Sequence, residues 1–203
     1  MLTSCFIWIT GREHSFCPEH SLLPEITTTW RMWSDMEIYR SRRLSIEKMM
    51  IQLPNGHGRE KIIIHPGNAV AILPVTGDQC KLLKQFRHAI GKHIVEAPAG
   101  TMEEGEEPIE TAHRELIEET GFAARTMIPR GFIYTTPGFT DERIFLFEAR
   151  DLFPSTEFSM DEDEMIEVFD VALREIEPMI RDGTIVDAKT ICLVHLCRGY
   201  FDA

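Results

Sequence analysis

Residues 100–122 read GTMEEGEEPIETAHRELIEETGF, and eight of them are glutamates. Pro108 suits the first position of a helix, and Gly121 suits the left-handed residue just past its last turn. Between them Ile109, Ala112 and Leu116 recur at helical spacing and predict a buried stripe. At about 100° per residue, Glu115, Glu118 and Glu119 share one arc beside that stripe. Each like-charge contact at i,i+3 or i,i+4 costs roughly 0.2–0.5 kcal/mol, and these acids crowd the helix end whose dipole already disfavours anions. Such an arrangement calls for a cation.

The whole chain limits what that cation serves. Its 203 residues suit a single domain with a proper core, and 43% hydrophobic with 27% charged residues is ordinary for a soluble globular protein. A net charge of −12 argues against a nucleic-acid partner or an anionic membrane surface. An anionic substrate would have to be held locally, by arginines and metal. The five cysteines (Cys5, Cys17, Cys80, Cys192 and Cys197) are scattered, which points to a reducing compartment and to neither a disulfide framework nor a zinc site. No apolar run approaches the ~18 residues of a membrane span, and no basic segment opens a signal peptide. A cytoplasmic protein is expected.

Residues 1–35 hold all three tryptophans (Trp8, Trp30 and Trp33) without a sustained period, and a short strand over Phe6–Ile9 is compatible with them. They are expected to form a loosely attached extension, or to follow from a start codon placed too early, with Met32 or Met36 opening the regular sequence. Residues 36–60 read as N-terminal strands closed by the turn PNGHG, and 61–203 as the main domain. EKIIIH, AVAILPV, CKLLKQF and HIVEA predict strands before the carboxylate helix; MIPRGFIYT, RIFLFEA and MIEVFDV predict strands after it. TPGFTDE is a turn, FPSTEFSMDEDE an acidic loop, and helices over Ala172–Arg181 and Asp187–Tyr200 close the chain. Strands around isolated helices imply an α/β fold, a mixed sheet covered by helices.

Gly100, Glu106 and the run RELIEETGF from Arg114 to Phe122 match the Nudix box without a departure, seven positions being fixed by residue type. The chain resembles the Nudix hydrolases, which cleave nucleoside diphosphates linked to another moiety. The resemblance implies an α/β/α sandwich with a mixed sheet and an N-terminal β-strand extension. It also implies Mg²⁺ or Mn²⁺ held by Glu115, Glu118, Glu119 and the backbone carbonyl of Ala99. Hard divalent cations do prefer oxygen ligands and commonly join a few carboxylates to substrate phosphates. Over roughly residues 36–200, the pieces KLLKQFRHAIGKHIVEAPAG, YTTPGFTDERIFLFEARDL, DEDEMIEV and IRDGTIVDAKT are similar to the ADP-ribose pyrophosphatase branch. That likeness implies hydrolysis of ADP-ribose to AMP and ribose 5-phosphate, with Arg87, Glu103 and Glu142 at the substrate. It implies a homodimer whose N-terminal strands lend residues to the partner's site, Arg40, Arg42 and Arg43 being candidates. The general base would come from Glu162 or Glu164; strand alternation points both the same way and does not choose between them. Glu162 is read as the base, with Glu164 as its helper or an outer metal contact.

Several residues have plainer readings. Arg114 can pair with Glu110 and Glu118 at i±4 and hold a metal glutamate in place, or contact phosphate itself. Glu106 is expected to orient the loop, and Glu104, Glu107 and Glu110 to be solvated charges. Pro98-Ala99-Gly100 is read as a loop in which Gly100 permits close approach. His113 reads as packing, His88 and His93 have no partner at ligand spacing, and Phe132, Phe145 and Phe147 read as core. Two rival functions stand beside ADP-ribose hydrolysis. One is a Nudix pyrophosphatase for another nucleotide-sugar or a dinucleotide, and the other a non-catalytic domain that senses ADP-ribose.

Overall fold

Strand β4 (Ala69–Thr76, AVAILPVT) is the axis of the fold. Val70 and Ile72 bury into one apolar cluster with Ala112, Leu116 and Phe147, while Ala71 and Leu73 bury into another with Ile176, Leu193 and Val194. A strand covered on both faces reads as an unbroken apolar run, and this one does. The computed structural model describes residues 31–156 and 166–197, with side chains from residue 36 onward. The strand expected over Phe6–Ile9, the acidic loop bearing Glu162 and Glu164, and the helix end at Tyr200 lie outside the described residues.

Around β4 stand β5 (Gln79–Arg87), β6 (Lys92–Glu96), β7 (Ala99–Thr101), β8 (Phe122–Tyr134), β9 (Arg143–Pro154) and β10 (Ile166–Ala172). They form a seven-stranded sheet in the order β10-β5-β4-β9-β8, with β6 added to β5 and β7 to β4. The β4–β9 pairing is parallel and the others antiparallel, so the sheet is mixed. Helix α1 (Pro108–Thr120) covers one face; α2 (Leu173–Arg181) and α3 (Ala188–Leu196) cover the other. This is the α/β/α sandwich expected. Fully burying a side chain such as Leu116 or Leu193 contributes about 1.5–3 kcal/mol. No described helix is long and apolar enough to cross a membrane.

A second, antiparallel sheet of β1 (Arg31–Arg40), β2 (Ser45–Gln52) and β3 (Gly58–His65) precedes this sandwich. Its first strand begins at Arg31, so regular structure starts inside the segment expected to be irregular. Met36, Ile38, Tyr39 and Ile62 leave an apolar surface on it. Two further departures are local. Pro98-Ala99-Gly100 does not remain a loop, since Ala99–Thr101 pairs with Ala69–Ala71. Strand β8 starts directly after α1, well before MIPRGFIYT, and a shift between Pro129 and Gly131, with Gly131 at φ 102°, interrupts its register.

Candidate active site

Helix α1 starts at Pro108 and ends at Gly121, whose φ of 75° is the left-handed conformation that favours glycine. Thr111, Ala112, Leu116, Glu119 and Thr120 form its buried face. Ile109, expected in that stripe, is 44% exposed because it sits in the first turn, ahead of the strands the helix covers. Glu110 does not pair with Arg114; its carboxylate accepts the Glu107 backbone N–H at 3.0 Å and closes the helix start. The E-x-x-E spacing at Glu107 was the available signal for this role, which is more than that of a solvated charge.

The cation that the sequence demands is, within the chain, Arg114. Its Nη1 donates to Glu115 at 2.6 Å and Glu118 at 2.9 Å, and its Nε donates to Glu106 at 2.9 Å. A further donation to the Thr101 carbonyl, at 3.2 Å, ties the helix to β7. Glu106 also accepts the Glu103 N–H at 2.9 Å and the Thr111 hydroxyl at 2.8 Å, which fixes the loop before the helix. The Arg114 guanidinium and these donors pull the Glu106 carboxyl down to about 2. Glu103 enters this set through its backbone, while its side chain faces solvent.

Glu119 is 5% exposed and accepts the Ala99 N–H at 2.7 Å. Glu115 lies directly over Gly100: a Cβ built there would stand 1.9 Å from its carboxylate. Ala99 and Gly100 are thus set against Glu119 and Glu115. The donor set suits a hard divalent cation, being all oxygen, on one helical arc, beside the β7 backbone. Among the described residues no three acidic, histidine or cysteine side chains already converge on one point. A metal would therefore draw Glu115 and Glu118 away from Arg114.

Arg87 meets a different partner. Its Nε and Nη2 each donate at 2.7 Å to Glu96, a carboxylate with no exposed surface. Lys189 donates to the same carboxylate and to Asp187, at 3.0 Å for the latter. Asp187 caps α3 through the Thr190 N–H at 3.0 Å, and the Thr190 hydroxyl accepts the Ala97 N–H at 2.8 Å. Sequence reading missed this network; its members lie on β5, β6 and α3 with no local spacing to announce them. Glu142 closes the base of the loop between β8 and β9, accepting the Thr135 hydroxyl at 2.6 Å. That loop and β7 flank the same end of β4, since Ala69 pairs with both Thr101 and Ile144. Phe147 is core and Phe145 packs beside it, but Phe132 is 41% exposed at the β8 edge, ring to ring with Tyr134 at 5.5 Å.

The NUDIX domain model matches residues 65–194, which include β4 through most of α3 and all of the carboxylate cluster. The chain belongs to the Nudix family. It is 41% identical over 158 residues to an ADP-ribose pyrophosphatase of Bacillus subtilis (strain 168), covering 76% of this chain and 84% of that one. It is 35% identical over 158 residues to a GDP-mannose pyrophosphatase of Cronobacter sakazakii, covering 72% and 81% respectively. The solved structure of an ADP compounds hydrolase superposes with a TM-score of 0.77 at 23% identity, over 85% of this chain and 94% of that one, which shows the shared fold. The protein is a Nudix hydrolase of ADP-ribose pyrophosphatase type, and Arg114 with Glu106, Glu115, Glu118 and Glu119 forms its Nudix-box cluster.

Proposed function

We propose that the protein hydrolyses ADP-ribose to AMP and ribose 5-phosphate with Mg²⁺ or Mn²⁺. The likeness to ADP-ribose pyrophosphatase over 84% of that protein's length carries the substrate assignment. Glu115, Glu118, Glu119 and the Ala99 carbonyl hold the metal. Bound there, a divalent cation neutralises the pyrophosphate and polarises the scissile P–O bond. Arg114 keeps the acids apart and orients them until the cation arrives. Arg87, Glu103 and Glu142 bind substrate, Arg87 by turning part of its fork from Glu96. A carboxylate that holds metal is a poor proton acceptor, so the base is a separate acid, Glu162 or Glu164, with the other as its helper. The protein acts as a cytoplasmic homodimer. Its first strands, 36–60, cover the surface of Met36, Ile38, Tyr39 and Ile62 on a second copy, while 61–203 carries the Nudix domain.

The GDP-mannose relative favours a second reading, another nucleotide-sugar at the same metal site. One assay decides both points. ADP-ribose, ADP-sugars, GDP-mannose, NADH and diadenosine polyphosphates are offered with each metal to wild type, Glu162→Gln, Glu164→Gln and the double variant. ADP-ribose should have the highest kcat/KM, and one of the single variants should lose about 10²–10⁴ in kcat with KM little changed. A clear preference for GDP-mannose would replace the substrate. Wild-type kcat in the double variant would return the base to α1.

A further inference from the structure

Two hydrogen bonds join the small sheet to the loop that carries Glu142, and both leave from the end of β3. The Ile64 N–H donates to the Phe139 carbonyl at 2.8 Å, beside an isolated parallel bridge between Ile64 and Thr140. The next residue, His65, places Nδ1 at 2.7 Å from Asp141. Its Nε2 is shut off from solvent and lies 3.4 Å from Glu47 on β2. The imidazole is thus bracketed by a carboxylate from the small sheet and one from the loop. Within that loop the Glu142 N–H donates to the Thr140 hydroxyl at 3.2 Å, and the Thr135 hydroxyl fixes the Glu142 carboxylate. Displacing Asp141 therefore moves Glu142, its chain neighbour.

We infer that His65 is a positioning residue: as an imidazolium between Glu47 and Asp141 it clamps the 135–142 loop and so aims Glu142 at the substrate. This rests on the proposal that Glu142 contacts substrate. Glu47 and Asp141 are the charged groups that face the ring. The Asp141 hydrogen bond raises the His65 pKa above its ordinary value; partial burial opposes it, and the charges of Asp141 and Glu47 add to it. A raised pKa means the clamp is fully charged below about 6.5 and loosens as pH rises through the folded value. The neutral ring can keep one hydrogen bond, to Asp141, and loses the attraction to Glu47.

The test pairs NMR titration of the His65 ring with steady-state kinetics on His65→Asn, His65→Leu and Asp141→Asn. In wild type the ring should titrate above the ordinary histidine value, and Asp141→Asn should bring it back. At pH 6, His65→Leu and Asp141→Asn should raise KM about three- to tenfold and leave kcat within about twofold. Asparagine can still donate to Asp141 but cannot titrate. His65→Asn should therefore keep a near-normal KM and lose the rise in KM with pH that wild type shows. An ordinary wild-type pKa that Asp141→Asn leaves unmoved overturns the inference, and so does an unchanged KM in Asp141→Asn, an exposed change that spares the fold. If wild type ignores ADP-ribose, the functional proposal fails separately. The kinetic comparison then uses the panel substrate that is turned over, and the titration stands regardless.

Discussion

Two charged clusters, both close to α1 or β6, differ in their arithmetic. Around Glu96, two cations (Arg87 and Lys189) meet two carboxylates (Glu96 and Asp187). Around Arg114, one cation meets Glu106, Glu115 and Glu118, and Glu119 lies on the same helix. The first set is built on the fully buried Glu96 and closed by hydrogen bonds to the start of α3. The second carries surplus negative charge at the helix end least suited to it. A balanced cluster can stand by itself, whereas an unbalanced one is stable only in proportion to what cation it can recruit. In the proposed function the unbalanced set takes the metal, and Arg87 is the member of the balanced set that also serves the substrate.

The sharpest way to break this contrast is on the unbalanced side. Glu119→Gln keeps the shape of the side chain and removes a charge from the proposed metal site, so a loss of several kcal/mol of transition-state stabilisation, about 10³-fold or more in kcat, is expected at saturating Mg²⁺. Near-normal turnover in that variant would mean the surplus charge serves something else. On the balanced side, Glu96→Gln should leave metal dependence alone and cost about 3 kcal/mol of stability, because Arg87 and Lys189 lose their buried counter-ion. Urea unfolding with an unchanged slope measures it; a cost below about 1 kcal/mol would show that the network contributes little. The smallest effect belongs to Glu106. Its carboxyl, lowered from 4.5 to about 2 in the folded chain, adds stability above pH 4.5 that is lost as pH falls toward 2. Glu106→Gln in EDTA should flatten that acid limb by about 1–3 kcal/mol, read from melts at stepped pH. An acid limb identical to wild type would assign the pH dependence to other carboxylates.

Sequence and structure agree where a single element carries its own signal. Pro108, Gly121 and the apolar spacing between them define α1, and the unbroken apolar run AVAILPV identifies a strand buried on both faces. The Nudix box made the carboxylate cluster visible because all its members sit within a short stretch of chain. What could not be read depends on distant partners. Strand β7 is three residues long and exists because β4 offers a free edge beside it. The entry to β8 has no period, and the shift at Gly131 breaks the alternation beyond it. Nothing local to Arg87 says that Glu96 will face it across two paired strands, and nothing in HPGN announces that His65 will reach Asp141, 76 positions away. Ile109 obeys the helical period and still faces water, since a period predicts a face but not how far the covering sheet extends.

Gly100 shows how far such a distant partner can reach. No left-handed turn requires glycine there; alanine would pass any test of backbone dihedral angles. It fails a test of volume, because a single added carbon would occupy the space of the Glu115 carboxylate, fifteen positions along the chain. One methyl group at position 100 thus acts as a wedge between strand and helix, aimed at the Glu115 carboxylate although Gly100 itself pairs with the buried Val70. A reader of the chain alone would see only a permissive glycine; the fold turns it into the seat of a carboxylate on the neighbouring helix.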